Sequence, residues 1–422
     1  MTLGKATARH ALRSRQKEPP LAYTLAGIDV HKRMLAVVVS DLAADTEDAF
    51  ERRPFGSTPA QLRRLAAWLS ERQVDEVVME STAQYWRPVW AALERHWRPR
   101  ARAGAGPMTG TLPLAQAQSH RAPRGRKRDF ADAERLVKRV VAQELILSFV
   151  PAPEQRRWRT VTRTKVQLTR NRVQLQNRLE ALLEQAHLKL SSLVSDLLGV
   201  SARRMLEALA DGVTDPEALA ALADQRLRAT PEQLRDALEA SQELSPVYRR
   251  LLQMALEELQ LLDRQILRLD QEIAERLRPY QDPVQRLAEG PGLGVDSVQQ
   301  ILAEVGPTAA TFPSAGRLAS WVGACPGEHE SAQVSYGHRS PKGNRQMRRL
   351  LNQAANAAVK AHGTLFELLY RRYVPRLGHQ QTIGLIAHRL CRLIWLILHQ
   401  GVRYEERGPA LSQKSHDTGR PE

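Results

Sequence analysis

Apolar residues enter the chain in strand-length clusters. Tyr23-Thr-Leu-Ala-Gly-Ile-Asp-Val30 and Met34-Leu-Ala-Val-Val-Val-Ser-Asp41 are β-rich runs separated by His31-Lys32-Arg33, which predicts a hairpin. A weaker third strand is expected near Asp48–Phe55. The period then changes. Behind Thr58-Pro59, the spacing of Leu62, Leu65, Ala66 and Leu69 predicts a helix with proline at its first position. Val74–Glu80 reads as the next strand, and Trp86, Val89, Trp90 and Leu93 as the next helix. A Gly/Pro-rich passage, 99–128, precedes a helix carrying Asp129, Asp132, Leu136, Val140 and Val141. The order hairpin, strand, helix, strand, helix, loop, helix suits a ribonuclease-H-like α/β domain over residues 21–150, after a basic, disordered segment at 1–20.

From Pro151 the pattern is that of long helices. Val161, Leu168, Leu175 and Leu182 recur every seven residues. A second run, from Leu244 through Tyr248, Leu251, Ala255, Leu259, Leu262, Ile266, Leu269 and Ile273 to Leu277, alternates steps of three and four. These predict a coiled coil over 151–283, folded back on itself or joining protomers, with an acidic helical insert near 191–243. A helical domain is expected at 284–402, followed by a disordered tail at 403–422. It opens on Leu287-Ala-Glu-Gly-Pro-Gly-Leu-Gly294, which resembles a helix-hairpin-helix turn whose glycines, Gly292 and Gly294 among them, would let backbone N–H groups approach a phosphate.

Charge then narrows the partners. The 422 residues carry a net charge of +16 with a sequence pI near 10.3, a balance suited to a polyanion, most commonly nucleic acid. The charge is clustered: Arg156–Arg178 holds eight Arg or Lys and no acid, and Ser331–Phe366 holds no acid at all. Arg163, Lys165, Arg170 and Arg172 are therefore expected along a phosphate backbone. So are Arg126, Lys127 and Arg128, and the group Arg339, Lys342, Asn344, Arg345 and Arg348. Trp158 is a candidate for stacking on RNA bases or for a core anchor. Two cysteines, Cys325 and Cys391, make neither a zinc site nor a disulfide framework, which points to a reducing compartment. The N-terminus has no signal-peptide layout, and the most apolar run, Leu390–Leu398, is broken by Arg392 and too short to span a bilayer. A soluble cytoplasmic protein without a membrane partner is expected.

The candidate chemistry rests on acids. Asp129 and Asp132, three residues apart, share one helix face. Asp29 and Glu80 end predicted strands, so all four carboxylates can meet at one point. Unpaired, they would repel and raise one another's pKa; Mg²⁺ removes that cost, and two ions can clamp the attacking and leaving oxygens of a phosphodiester. Asp41, Asp45 and Asp75 read as turn residues. Among hydroxyls, Ser331, Ser335 and Ser340 are equally available on chemistry alone.

Several stretches together resemble the DEDD transposases of the insertion-sequence 110 family. These are Gly27-Ile-Asp-Val-His-Lys32, Met79-Glu-Ser-Thr82, Lys127-Arg-Asp-Phe-Ala-Asp-Ala133, Leu190–Gly199, Gly290-Pro-Gly-Leu-Gly294, Leu318-Ala-Ser-Trp-Val-Gly323 and Lys342-Gly-Asn-Arg-Gln-Met-Arg348. They follow the family's order from about residue 21 to 400. The resemblance implies a RuvC-like N-terminal domain, a coiled coil and a C-terminal transposase domain with a serine nucleophile. It places the DEDD acids on Asp29, Glu80, Asp129 and Asp132, and the serine on Ser331. Pro341 interrupts a Ser-Lys pair of the family, and Ala332 stands where the family has glycine; on the latter ground Ser335 is the reserve nucleophile. It further implies a bacterial, nucleoid-associated recombinase directed to donor and target DNA by a bridge RNA. The family builds its site from acids of one protomer and the serine of another in a dimer of dimers, with the run from Leu244 as the expected joint. The alternative is a metal-dependent junction-resolving endonuclease of the same fold that uses activated water. A third, non-enzymatic reading is a packaging scaffold with a degenerate metal site.

Overall fold

The computed structural model describes residues 23–41, 50–81, 83–99, 111–116, 128–325, 329–331, 334–337 and 340–406. The segments expected to be disordered at 1–20 and beyond 406 lie outside them. The chain divides into two compact units, Met1–Pro151 and Ala152–Glu422.

In the first unit β1 (Thr24–Val30), β2 (Met34–Asp41) and β3 (Glu51–Gly56) form an antiparallel meander. Helix α1 (Pro59–Glu71) then leads to β4 (Glu76–Glu80), which pairs parallel with β1. Helix α2 (Trp86–His96), β5 (Leu114–Ala115), α3 (Asp129–Val141) and β6 (Leu147–Ser148) complete it. The sheet order is β3-β2-β1-β4-β5-β6. Strand alternation decides the layers. Ala26, Ile28, Val37, Val77 and Met79 join Leu62, Leu65, Leu69, Val89 and Leu93 of α1 and α2 on one face. On the other face, Leu25, Val38 and Val78 meet Ala133, Leu136 and Val137 of α3. Because β1 is covered on both sides, six of its seven residues are buried, and only Asp29 interrupts the apolar run from Leu25 to Val30. The two-residue strands β5 and β6 were not expected; such short pairs carry no period to read.

The second unit begins with α4 (Pro153–Gln185). After α5 (Val200–Ala210), α6 (Pro216–Ala220) and α7 (Pro231–Ala237), the chain returns in α8 (Pro246–Arg276). Ion pairs Glu154–Arg276, Lys165–Asp270, Arg172–Asp263 and Arg178–Glu258 run in opposite order along the two helices, so α4 and α8 are antiparallel neighbours within one chain. The heptad is only half of the seam: Leu175 is buried, but Val161, Leu168 and Leu182 are half-buried. The buried positions of α4 are Trp158, Thr162, Lys165, Val166, Leu175, Leu179 and Leu183. Trp158 is a core anchor, edge-on to Tyr280 with its N–H donated to Glu154.

Helices α9 (Gln281–Ala288), α10 (Val295–Val305), α11 (Ala315–Val322), α12 (Arg345–Ala358) and α13 (Leu365–Gln400) enclose a separate core. A hairpin of β7 (His329–Ser331) and β8 (Val334–Gly337) lies between α11 and α12 in sequence. α13 contains Pro375 and breaks at Gly378 (φ 73°). One stretch of it is long and apolar enough to cross a membrane, yet over half of that stretch is buried within the unit. Past its end the expected tail is partly docked: Arg403 pairs with Glu289, and Glu406 accepts the Leu365 N–H.

Candidate active site

β1 and β4 run parallel in the register Ile28↔Met79, so one step further Asp29 stands beside Glu80 at the shared C-terminal edge. Asp29 follows Gly27 by two residues and so shares its face, the one covered by α3. Gly27 is what lets α3 approach. A Cβ built on it would lie 2.4 Å from the Ala133 carbonyl oxygen and 2.8 Å from the Val137 side chain. With α3 seated on bare backbone, its first turn brings Asp129 and Asp132 over the strand ends.

The four acids share one electrostatic neighbourhood. Burial pushes the Asp29 carboxyl above the usual carboxylate range; His31 opposes the shift, and the charges of Asp132, Asp129 and Glu80 add to it. Asp29 is 7% exposed. His31 extends the strand alternation by one step, and its Nε2 lies 3.1 Å from Asp29 Oδ2 and 3.2 Å from Asp129 Oδ1. Asp132 is engaged by Arg135, one turn on, at 2.5 Å.

This donor set suits a divalent cation. It offers hard carboxylate oxygens, one of them on a nearly buried group whose charge lacks solvent, and a half-exposed side from which water can complete a shell. One atom each from Asp29, His31 and Asp129 already lie within 4.8 Å of one another. Sequence reading missed His31, which it treated as turn; its i+2 spacing from Asp29 was the available signal.

Of the remaining predicted residues, Arg128 belongs to the first unit and the others fall in the second unit or outside the described residues. Ser331 ends β7, paired with Val334, and Ser335 lies in β8 opposite Glu330, so one hairpin carries both candidate nucleophiles. Arg126, Lys127 and Arg339 lie outside the described residues; Arg128 is exposed at the N-cap of α3. Lys342 and Arg345 are exposed, and Arg348 donates to the Pro341 carbonyl at 3.2 Å. Their loop is clamped on α11: Gly323 (φ 73°) caps that helix, and a Cβ on Gly343 would lie 2.3 Å from the Val322 carbonyl oxygen.

Asn344 is engaged structurally. Its Oδ1 accepts from the Gln346 and Met347 N–H groups, capping α12, while its Nδ2 donates to Glu304 at 2.8 Å. Glu304, 2% exposed, also takes a two-pronged pair from Arg163 at 2.7 and 2.8 Å. Lys165 is held between Asp270 and Asp296, and Arg172 binds Asp263 at 2.8 Å. Three of the four α4 cations expected along a phosphate backbone thus have carboxylate partners within the unit, because acids distant in sequence fold beneath them. Arg170 is exposed, and its charge, after burial, helps lower the pKa of nearby Arg349.

The hairpin glycines divide likewise. Gly292 (φ 76°) touches α12, where a Cβ would come within 2.2 Å of the Ala354 carbonyl oxygen. Gly294 caps α10 with open space before it.

The sheet order and an acid cluster on its central strands define a ribonuclease-H-like domain of the DEDD transposase type. A transposase model of the DEDD kind from IS110 elements matches residues 26–188, and one described as the Transposase IS116/IS110/IS902 family matches residues 284–371. The chain belongs to the IS110 family of DEDD transposases. Among curated relatives, the "Insertion element IS110 uncharacterized 43.6 kDa protein" of Streptomyces coelicolor is 30% identical over 125 residues, 29% of this chain and 31% of that protein. The "Probable family 20 transposase" of Pseudomonas aeruginosa is 28% identical over 159 residues, 36% of this chain and 46% of that protein. These alignments span less than half of either relative.

Proposed function

We propose that this chain is a DNA recombinase that excises and inserts its own mobile element through a covalent serine–phosphodiester intermediate. The reading is carried by the convergence of Asp29, Glu80, Asp129 and Asp132 on two parallel strand ends in a chain of this family. Those acids would hold Mg²⁺, as one ion or two, which when bound neutralises charge on the phosphate and acidifies a neighbouring hydroxyl. Ser331 is the proposed nucleophile, with Ser335 in reserve. Its Oγ attacks phosphorus and gives up its proton, and the displaced strand leaves with a free hydroxyl. One P–O ester replaces another, so the bond energy is retained for rejoining.

Lys342 and Arg345, both exposed, are proposed to steady the scissile phosphate, with Arg128, Arg170 and Arg348 contacting the backbone elsewhere. A phosphate beside Arg170 would also relieve its repulsion with Arg349. Donor and target DNA, a bridge RNA and further copies of the chain, in a dimer of dimers, are the proposed partners. Sequence choice by base pairing would leave little trace in the protein, which agrees with clustered charge and few aromatics.

Denaturing electrophoresis of a suicide substrate tests the reading. Wild type should retain a covalent DNA adduct, absent from Ser331→Ala and restored on reversion. Cleavage by Ser331→Ala at the wild-type rate, with no adduct in either protein, would move the assignment to a water-using endonuclease.

A further inference from the structure

We propose that His31 is itself a ligand of the cation held by the acidic cluster, and that this nitrogen biases the site toward Mn²⁺ over Mg²⁺. The inference rests on the reading of the four acids as a cation site and goes further in naming a donor outside that set.

The geometry carries it. An octahedral ion with metal–ligand bonds of about 2.1 Å holds adjacent donors about 3.0 Å apart. His31 Nε2 stands at 3.1 and 3.2 Å from one oxygen each of Asp29 and Asp129, so the nitrogen already holds the spacing of a neighbouring corner to each acid, and the three donor atoms lie within 4.8 Å of one another. The ring is also placed by backbone. The His31 N–H donates to the Met34 carbonyl at 3.0 Å, closing the β1–β2 turn, and Asp29 is fixed in β1 by its pairing to Ala36. The imidazole therefore sits beside Asp29 through a turn of the sheet rather than through a long mobile stem. Its half-exposed position leaves room for water or a phosphate oxygen to fill other corners.

Ligand chemistry sets the preference. Mg²⁺ favours oxygen donors almost exclusively, while Mn²⁺ accepts carboxylate and, standing nearer the nitrogen-binding metals, tolerates imidazole better. A site of acids alone would discriminate little between the two.

The test is pulsed electron paramagnetic resonance of the full chain loaded with Mn²⁺, beside direct titration of Mn²⁺ and Mg²⁺. Wild type should show ¹⁴N modulation from a directly bound imidazole. His31→Gln should lose it and bind Mn²⁺ about tenfold or more weakly, with less than a threefold change for Mg²⁺. Asp29→Asn serves as the control for the site. If it abolishes Mn²⁺ binding while wild type shows no ¹⁴N modulation, the acidic site stands and the role of His31 is overturned; there it would be a counter-ion only. If Asp29→Asn leaves Mn²⁺ binding intact, the cation site falls and this inference with it. The wild-type spectrum decides the matter even if His31→Gln folds poorly.

Discussion

Carboxylates gathered round one point repel, and the cost falls hardest on Asp29, the nearly buried member. Without a cation its ionised form is disfavoured by burial first and by Asp132, Asp129 and Glu80 after that. Asp29→Asn should therefore leave the metal-free protein as stable as wild type or more so, while removing its stabilisation by Mg²⁺ or Mn²⁺. Thermal unfolding with and without cation measures this: wild type should gain about 2.7 kcal/mol at a hundredfold excess over Kd, and the variant almost nothing. Glu304 is the opposite case, a buried carboxylate whose charge is met by Arg163, Arg159 and Asn344. Truncation strands those partners, and Glu304→Ala should cost about 3–5 kcal/mol in denaturant unfolding. Asp129 and Asp132 were legible by spacing and Asp29 by its strand end. Glu304 was not, because a lone acid inside a helix looks like any solvated one until its neighbours are known.

Elements position these residues through a few close approaches. The seat of α3 on Gly27 puts the first-turn acids over β1, so Gly27→Ala should cost about 1–3 kcal/mol and weaken cation binding together, a pairing that titration calorimetry and denaturant melts can verify. A loss of stability with unchanged cation affinity would show that the seat does not set the site. In the second unit, Asp263 of α8 receives Arg172 from α4 and Arg203 from α5. Burial works against its charge, but the two guanidiniums prevail and hold the carboxyl below the usual aspartate range. A depressed folded value means the stabilisation is present above the ordinary aspartate pKa, about 3.9, and is lost as pH falls through the folded value. Unfolding free energy measured downward from pH 5 should thus fall less steeply in Asp263→Asn than in wild type. The strands and helices themselves were readable because their periods are local. The α4 cations could not be sorted from sequence, because a cationic face looks the same whether phosphate or a distant Asp lies opposite.

At the scale of the molecule, the sheet closes all its pairings within residues 24–148 and buries its own apolar faces, while the helical unit has separate cores. Residues 1–151 expressed alone should accordingly unfold in one cooperative transition, followed by the fluorescence of Trp68 and Trp97, and should keep the cation-dependent stabilisation. A fragment that gains nothing from cation would place ligands in the second unit.

By itself the sequence determined what travels along the chain: the order of strands and helices, the acids at strand ends, the i,i+3 pair of α3, the excess positive charge. Each is a local periodicity or a sum and survives without knowledge of contacts. Tertiary structure alone decided which charges are spent within the fold, as with Arg163, Lys165 and Arg172, and which glycines serve packing, as Gly27, Gly292 and Gly343 do. It also decided that His31 stands among the acids. All of these depend on what arrives from tens or hundreds of residues away, and electrostatics and close packing act through space, not along the backbone.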